Sequence, residues 1–175
     1  MESIYFKNLR KLRENKELLE KKLGVKLIIR GRQITIEGSP VEEFEAYQVL
    51  DAFDFGFDLK DALTITNESF IFRKLPIKDF TRRKNLEEVR ARIIGTEGKT
   101  KRTMENVSGC AIVVHDNMVG LIGLAEGIEE ATTAITNLIR GTKQSNVYRF
   151  LERMNAAKKD KVDLGLKPDK KKNTN

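Results

Sequence analysis

Among its 175 residues this chain has one cysteine, one histidine, no tryptophan and three prolines. With Cys110 alone, no intrachain disulfide can form. One cysteine and one histidine also exclude zinc-finger, iron–sulfur and Cys/His protease constellations. No apolar run approaches the roughly 20 residues of a membrane span. The start, MESIYFKNLRKLREN, holds no apolar signal core. These absences predict a soluble, intracellular protein in a reducing compartment; the expectation for the chain as a whole is a cytoplasmic protein without catalysis, cofactor, metal or membrane contact. Hydrophobic residues at 39% are enough for a core, under a surface made by 34% charged residues. The formal charge of +7 points to a polyanionic partner, but only weakly.

Divided along the chain, the charge says more. Residues 1–40 carry ten basic and five acidic groups, net +5, and residues 41–70 carry one and eight, net −7. Residues 71–102 carry eleven and four, net +7, residues 103–157 carry net −2, and residues 158–175 carry net +4. A basic block beside a strongly acidic one is a directed surface rather than general solubility. The acidic stretch Glu42 to Asp61 is a site for a basic protein partner or a counterpart to the basic blocks. Asp54 and Asp58 flank Phe55-Gly56-Phe57, but no third ligand completes a metal site.

Two stretches read as hairpins: VKLIIR (25–30) with QITIE (33–37), and CAIVV (110–114) with MVGLI (118–122). Gly24 and Gly109 precede them, and helical patterns follow at Val41–Phe53 and Ile128–Ile139. An offset of 85 pairs Gly24 with Gly109, Leu27 with Ile112, Ile36 with Leu121 and Gly38 with Gly123. After a two-residue insertion, Glu42-Glu43 meets Glu129-Glu130. The chain is therefore read as one small unit used twice. Upstream of the second hairpin come a strand (Phe70–Ile77), a helix (Leu86–Ile94), Gly95-Thr96-Glu97-Gly98, and a short helix (Lys99–Val107). A closing helix, Asn146–Ala157, is expected to be capped by Asn146. In the first copy a helix at Leu18–Leu23 is expected. His115 is expected in the second hairpin's turn, and Cys110 as a small buried hydrophobe.

Gly-x-x-Gly between two helices has a physical use. Without a Cβ, backbone can approach a sugar–phosphate chain closely. The loop also opens on a helix N-terminus, whose free N–H groups favour phosphate. Lys99, Lys101 and Arg102 crowd that first turn although cations there oppose the helix dipole, and a bound polyanion would relieve the conflict. Arg90 and Arg92 add charge, and Ile93 and Ile94 are candidates for a floor under unstacked bases. With Gly95, Thr96, Glu97 and Gly98 these make up the expected RNA-binding residues. Gly98-Lys99-Thr100 also mimics the end of a nucleotide-binding P-loop, but that motif needs glycine where Ile93 stands and a buried strand before the loop.

The element order and the loop resemble the K-homology (KH) domain of eukaryotic type, which clamps about four unpaired nucleotides. Glu97 departs from the lysine or arginine often found inside such loops. In the first copy the offset puts Arg10, Lys11, Leu12 and Arg13 where the loop would be, so that unit reads as degenerate. The expected fold is α+β: two tandem type I KH units, each a three-stranded sheet with helices on one face, plus a C-terminal helix. The expected domains are 1–66, lacking the glycine loop, 67–157 with the loop and closing helix, and a disordered basic tail, 158–175.

RIIGTEGKTKRT (92–103), DAL (61–63) and VYRFLER (147–153), taken together, resemble the partner-of-Nob ribosome-assembly factors in their compact archaeal form. That resemblance implies binding near the 3′ end of small-subunit (pre-)rRNA. It also implies a role in assisting or restraining the Nob maturation endonuclease, and a link to the α subunit of translation initiation factor two. Tyr148, Phe150 and Arg153 carry over from it as further RNA contacts, against a plain packing role for the two aromatics. The alternatives are a protein-interaction adaptor, for which RNA contact is incidental, and a KH factor of translation initiation or RNA decay.

Overall fold

The computed structural model describes residues 1–163. The chain opens with strand β1 (Glu2–Tyr5) and helix α1 (Leu9–Leu23). Asn8 caps α1, its side chain accepting the Lys11 N–H, and Gly24 ends it in the left-handed region at φ 68°. The hairpin β2 (Lys26–Arg30) and β3 (Gln33–Glu37) follows, with the turn at Gly31-Arg32, then α2 (Pro40–Phe55) and the short α3 (Leu59–Leu63). The second half runs β4 (Phe70–Pro76), α4 (Leu86–Ile94), α5 (Lys99–Ser108), β5 (Ala111–His115), β6 (Met118–Leu124), α6 (Ala125–Arg140) and α7 (Gln144–Asp163).

Two antiparallel three-stranded sheets result, in the orders β1-β3-β2 and β4-β6-β5. The hairpin repeat holds to the residue, because β2 and β3 shifted by 85 fall on β5 and the start of β6. Pro76 lies on an edge strand, where a missing N–H costs the sheet nothing.

Four features depart from the sequence-based expectations. Helix α1 begins at Leu9 rather than Leu18, because fully buried Leu12 extends the apolar face set by Leu19 and Leu23. His115 belongs to β5, opposite Met118, and lies edge-on to Phe55 at 5.8 Å, so the turn is Asp116-Asn117 alone. Asn146 sits within the first turn of α7 and does not cap it. The same helix overruns Ala157. Lys158 Nζ reaches the buried Glu130 carboxylate at 2.6 Å and the Val107 carbonyl at 2.8 Å, which holds the start of the expected disordered tail in helix. The remainder of that tail, 164–175, lies outside the described residues.

The second sheet is covered on both faces, and strand alternation decides which side chains go where. Leu75, Ile112, Val119 and Leu121 point into a core closed by α4, α5, α6 and α7. Phe70, Phe72, Ala111, Val113 and Ile122 point to the other core, built with Phe53, Phe55 and Phe57 from the end of α2 and the residues after it. Phe57 lies 5.7 Å from Phe72, edge to face. Gly120 makes room for this joint: a Cβ there would meet Phe55 at 2.5 Å and Phe57 at 2.8 Å. Lys74 and Asp51 bridge the same seam at 2.6 Å. Part of the acidic block is thus spent holding the two halves together.

Ser39 closes a capping box on α2: its hydroxyl accepts the Glu42 N–H while Glu42 accepts the Ser39 N–H, with Pro40 in the first turn. These bonds hold the Glu42 carboxyl below the usual carboxylate range. Ser39→Ala should cost about 1 kcal/mol. A urea titration should show it as a lower midpoint with an unchanged slope.

Candidate nucleic-acid interface

Helix α4 is capped by Asn85, ends at Ile94, and hands over to Gly95 at φ 76°, ψ 171°. A Cβ on Gly95 would sit 2.2 Å from the Thr100 hydroxyl and 2.8 Å from the Thr100 nitrogen. Glycine is therefore needed at 95 by packing as well as by conformation. The Gly98 N–H closes a tight turn on the Gly95 carbonyl at 3.1 Å. Glu97 (φ 53°) and Gly98 (φ 74°) are both left-handed, an uncommon state for glutamate. Beside Gly98 a Cβ would meet nothing closer than the Arg102 Nε at 4.0 Å. The backbone here is open from outside.

Around this turn, Ile94, Thr96, Glu97, Lys99 and Arg102 are exposed. Arg102 folds back on the loop, donating to the Glu97 carbonyl and, at 3.5 Å, to the Gly98 carbonyl. That is the local answer to a cation in the first turn of a helix: it neutralises loop carbonyls. The Glu97 side chain points outward. Lys101 pairs with Glu105 at 2.9 Å, and Glu105 accepts the Ile112 N–H at 3.0 Å, which ties α5 to edge strand β5. Arg90 donates to Asn117 Oδ1 at 2.6 Å and to the Asp116 carbonyl at 3.2 Å, joining α4 to the β5–β6 turn.

Two expected contact residues are elsewhere. Ile93 is fully buried in the second core and offers no floor to a base, whereas its neighbour Ile94 is 37% exposed. About 100° of helix rotation separates their directions. Arg92 donates to the Thr142 carbonyl at 2.7 Å and is engaged at the α6–α7 junction. Two residues that sequence reasoning did not connect support the loop. Thr100 is buried, and its hydroxyl is 2.8 Å from the Tyr148 hydroxyl on α7. No periodicity links positions 48 residues apart. Tyr148 and Phe150 are partly buried against the second core, and Arg153 is exposed.

The first half has no counterpart to the turn. Arg10 to Arg13 lie inside α1, with Leu12 buried and Arg10 paired to Glu14 at 2.9 Å. Lys11 Nζ donates to the carbonyls of Phe57 at 2.7 Å and Phe53 at 3.3 Å and lies 4.1 Å over the Phe53 ring. Burial pushes its pKa down from the ordinary lysine value. This cation caps a helix end instead of facing solvent.

Cys110 is buried, and burial pushes its thiol pKa up. Among the described residues no group of three or more His, Cys, Asp or Glu is placed to hold a metal ion. Among them, too, no helix is long and apolar enough to cross a membrane.

Residues 71–156 match the model for a eukaryotic type KH-domain (KH-domain type I), in the form that occurs as the second such domain of PNO1. A KH domain-containing protein of Methanocaldococcus jannaschii is 32% identical over 145 residues, which are 79% of this chain and 64% of that protein. The pre-rRNA-processing protein pno1 of Emericella nidulans is 27% identical over 151 residues, 80% of this chain and 58% of that protein. The chain spans about three fifths of the length of the curated relatives it matches. Among solved structures, Dim2p from Pyrococcus horikoshii OT3 superposes with a TM-score of 0.80 at 29% identity, covering 87% of this chain and 98% of that one. The same score and identity hold for the a/eIF2alpha-aDim2p-rRNA complex from that organism, over 89% and 94%. The open glycine turn between α4 and α5 thus lies inside the segment that matches the type I KH-domain model, and the chain as a whole is similar to the RNA-binding protein pno1 and to Dim2p.

Proposed function

We propose that this chain is a single-stranded RNA-binding protein of small-subunit ribosome assembly, acting on the 3′ region of the small-subunit (pre-)rRNA without catalysis of its own. The observation that carries this reading is the open turn at residues 95–98 on the head of α5, where left-handed backbone, exposed Lys99 and the α5 N–H groups converge. Ile94 lies beside it for an unstacked base, and Lys101 and Arg102 add charge at its edges. The name of the solved complex supports rRNA and the α subunit of initiation factor two as partners. Regulation of the Nob endonuclease and a cytoplasmic setting follow from the family resemblance. In this reading residues 1–66 are a second KH-type unit without its loop. Its strand order supports that, and its role is to carry and orient the unit at 67–157.

A fluorescence-anisotropy titration with an unpaired RNA copied from the small-subunit rRNA 3′ end tests the proposal. Two phosphates neutralised by Lys99 and Arg102, with Lys101 held by Glu105, give an expected slope of log K against log salt of about −1.4. Affinity then falls roughly sevenfold between 50 and 200 mM salt. A flat dependence would favour the adaptor reading. That alternative has its own observation: Val41 and Phe44 of α2 are 67% and 60% exposed and border a hollow with Glu45, Glu68 and Phe70.

A further inference from the structure

Helix α5 presents more than its N-terminus. Lys99, Arg102, Thr103 and Asn106 stand at helical spacing and share a face. Opposite them, α7 presents Tyr148, Glu152 and Asn155 at the same spacing. The two faces enclose an open groove of about 740 Å³ with Val107 and Leu151 in its floor. It lies on the far side of α5 from the Lys101–Glu105 contacts to β5, yet it shares Lys99 and Arg102 with the glycine loop. The Thr100–Tyr148 hydrogen bond fixes the spacing of the helices at its loop end, and Lys158 on the Val107 carbonyl fixes it at the other.

We propose that this groove is a second RNA subsite, which carries the strand onward from the loop along α5 and α7. The inference rests on the RNA-binding reading of the loop. Its chemistry is graded along its length. Phosphate is favoured at the loop end by Lys99 and Arg102. At the far end Glu152 disfavours phosphate, while Asn106 and Asn155, both exposed amides, each offer a donor and an acceptor to a base edge. Tyr148 and Val107 give a partly apolar floor for a base or ribose face. From Lys99 to Asn106 the helix rises roughly 10 Å. That is about three nucleotides at the stacked rise of a single strand. Beyond Glu152 the exposed Arg149 and Arg153 border the adjoining hollow on α7, so positive charge continues past the groove.

The test uses unpaired RNA oligomers of four and eight nucleotides, copied from the small-subunit rRNA 3′ end, with the full chain. The double variant Asn106→Asp/Asn155→Asp keeps side-chain shape and places two carboxylates in the groove. The eight-mer should bind it about tenfold more weakly than it binds the original chain, while the four-mer binds both alike. A neutral pair, Asn106→Ala/Asn155→Ala, should lose several-fold on the eight-mer only, and the loss should persist at high salt. Unchanged eight-mer affinity in both pairs, or an equal loss on both oligomers, would overturn the subsite. If the original chain binds neither oligomer, the loop reading itself fails. Length-independent binding by the original chain sinks the groove alone.

Discussion

Phe57→Ala is expected to destabilise the protein by about 3–5 kcal/mol, the range for losing a fully packed phenylalanine. Phe57 has no exposed surface and stacks on Phe55 at 6.0 Å as well as meeting Phe72. It lies after α2, in the first half of the chain, yet Phe72 and Gly120 of the second sheet pack against it. Its loss opens a cavity at the joint of the two halves rather than within either one. The reciprocal change, Gly120→Val, overfills the same place, since even a Cβ would come within 2.5 Å of Phe55. Overpacking of that kind costs about 1–3 kcal/mol. Both changes should lower the urea midpoint, and thermal unfolding should remain a single transition because the seam belongs to one continuous core. A Phe57→Ala loss under about 1 kcal/mol would show that the halves do not depend on this seam.

The second large effect is on RNA. Gly95→Ala should lower affinity for the rRNA oligomer at least tenfold, a loss of about 1.4 kcal/mol or more. Its methyl group would press on the backbone nitrogen and hydroxyl of Thr100, which has no room to give because Tyr148 holds it from behind. At φ 76° the alanine is strained as well. The head of α5 must move, and the turn opens. A stability loss will accompany this, so a second variant separates the clamp from the fold. Thr96→Asp with Glu97→Asp puts two short carboxylates on the open side of the turn. Aspartate tolerates the left-handed conformation at position 97. Circular dichroism should be unchanged, and affinity should fall by a similar factor. Binding equal to that of the original chain would remove the loop from the interface.

Much of the architecture was legible from short-range pattern. The hairpins, the 85-residue repeat and the helix–glycine–helix order depend on β-branched alternation, turn glycines and helical spacing, all local properties of the chain. The element order of the second half appears as expected. What pattern misjudged were matters of side-chain direction and distant partners. Ile93 and Ile94 are equivalent by composition, but one turns into the core and the other outward. Arg92 looks like a loop cation and is occupied at the α6–α7 junction. Lys11 looks like residual charge in a loopless unit and instead caps the end of α2. Lys158 looks like the start of a polar tail, but it is drawn into helix by a carboxylate 28 residues earlier in the chain.

By itself, then, the amino-acid order determined the repeat, the sheets, the glycine turn and its surrounding charge, because each of these is encoded within a few residues. The tertiary structure alone decided which cations face solvent, which isoleucine is exposed beside the turn, and how the halves are joined. Those outcomes depend on contacts between residues far apart in sequence: Tyr148 behind Thr100, Phe57 over Gly120, Asp51 on Lys74. A charge count treats every lysine and arginine alike. Only packing separates those turned into the fold, such as Lys11 under α2 and Arg92 at the α6–α7 junction, from those that stand exposed at the open turn.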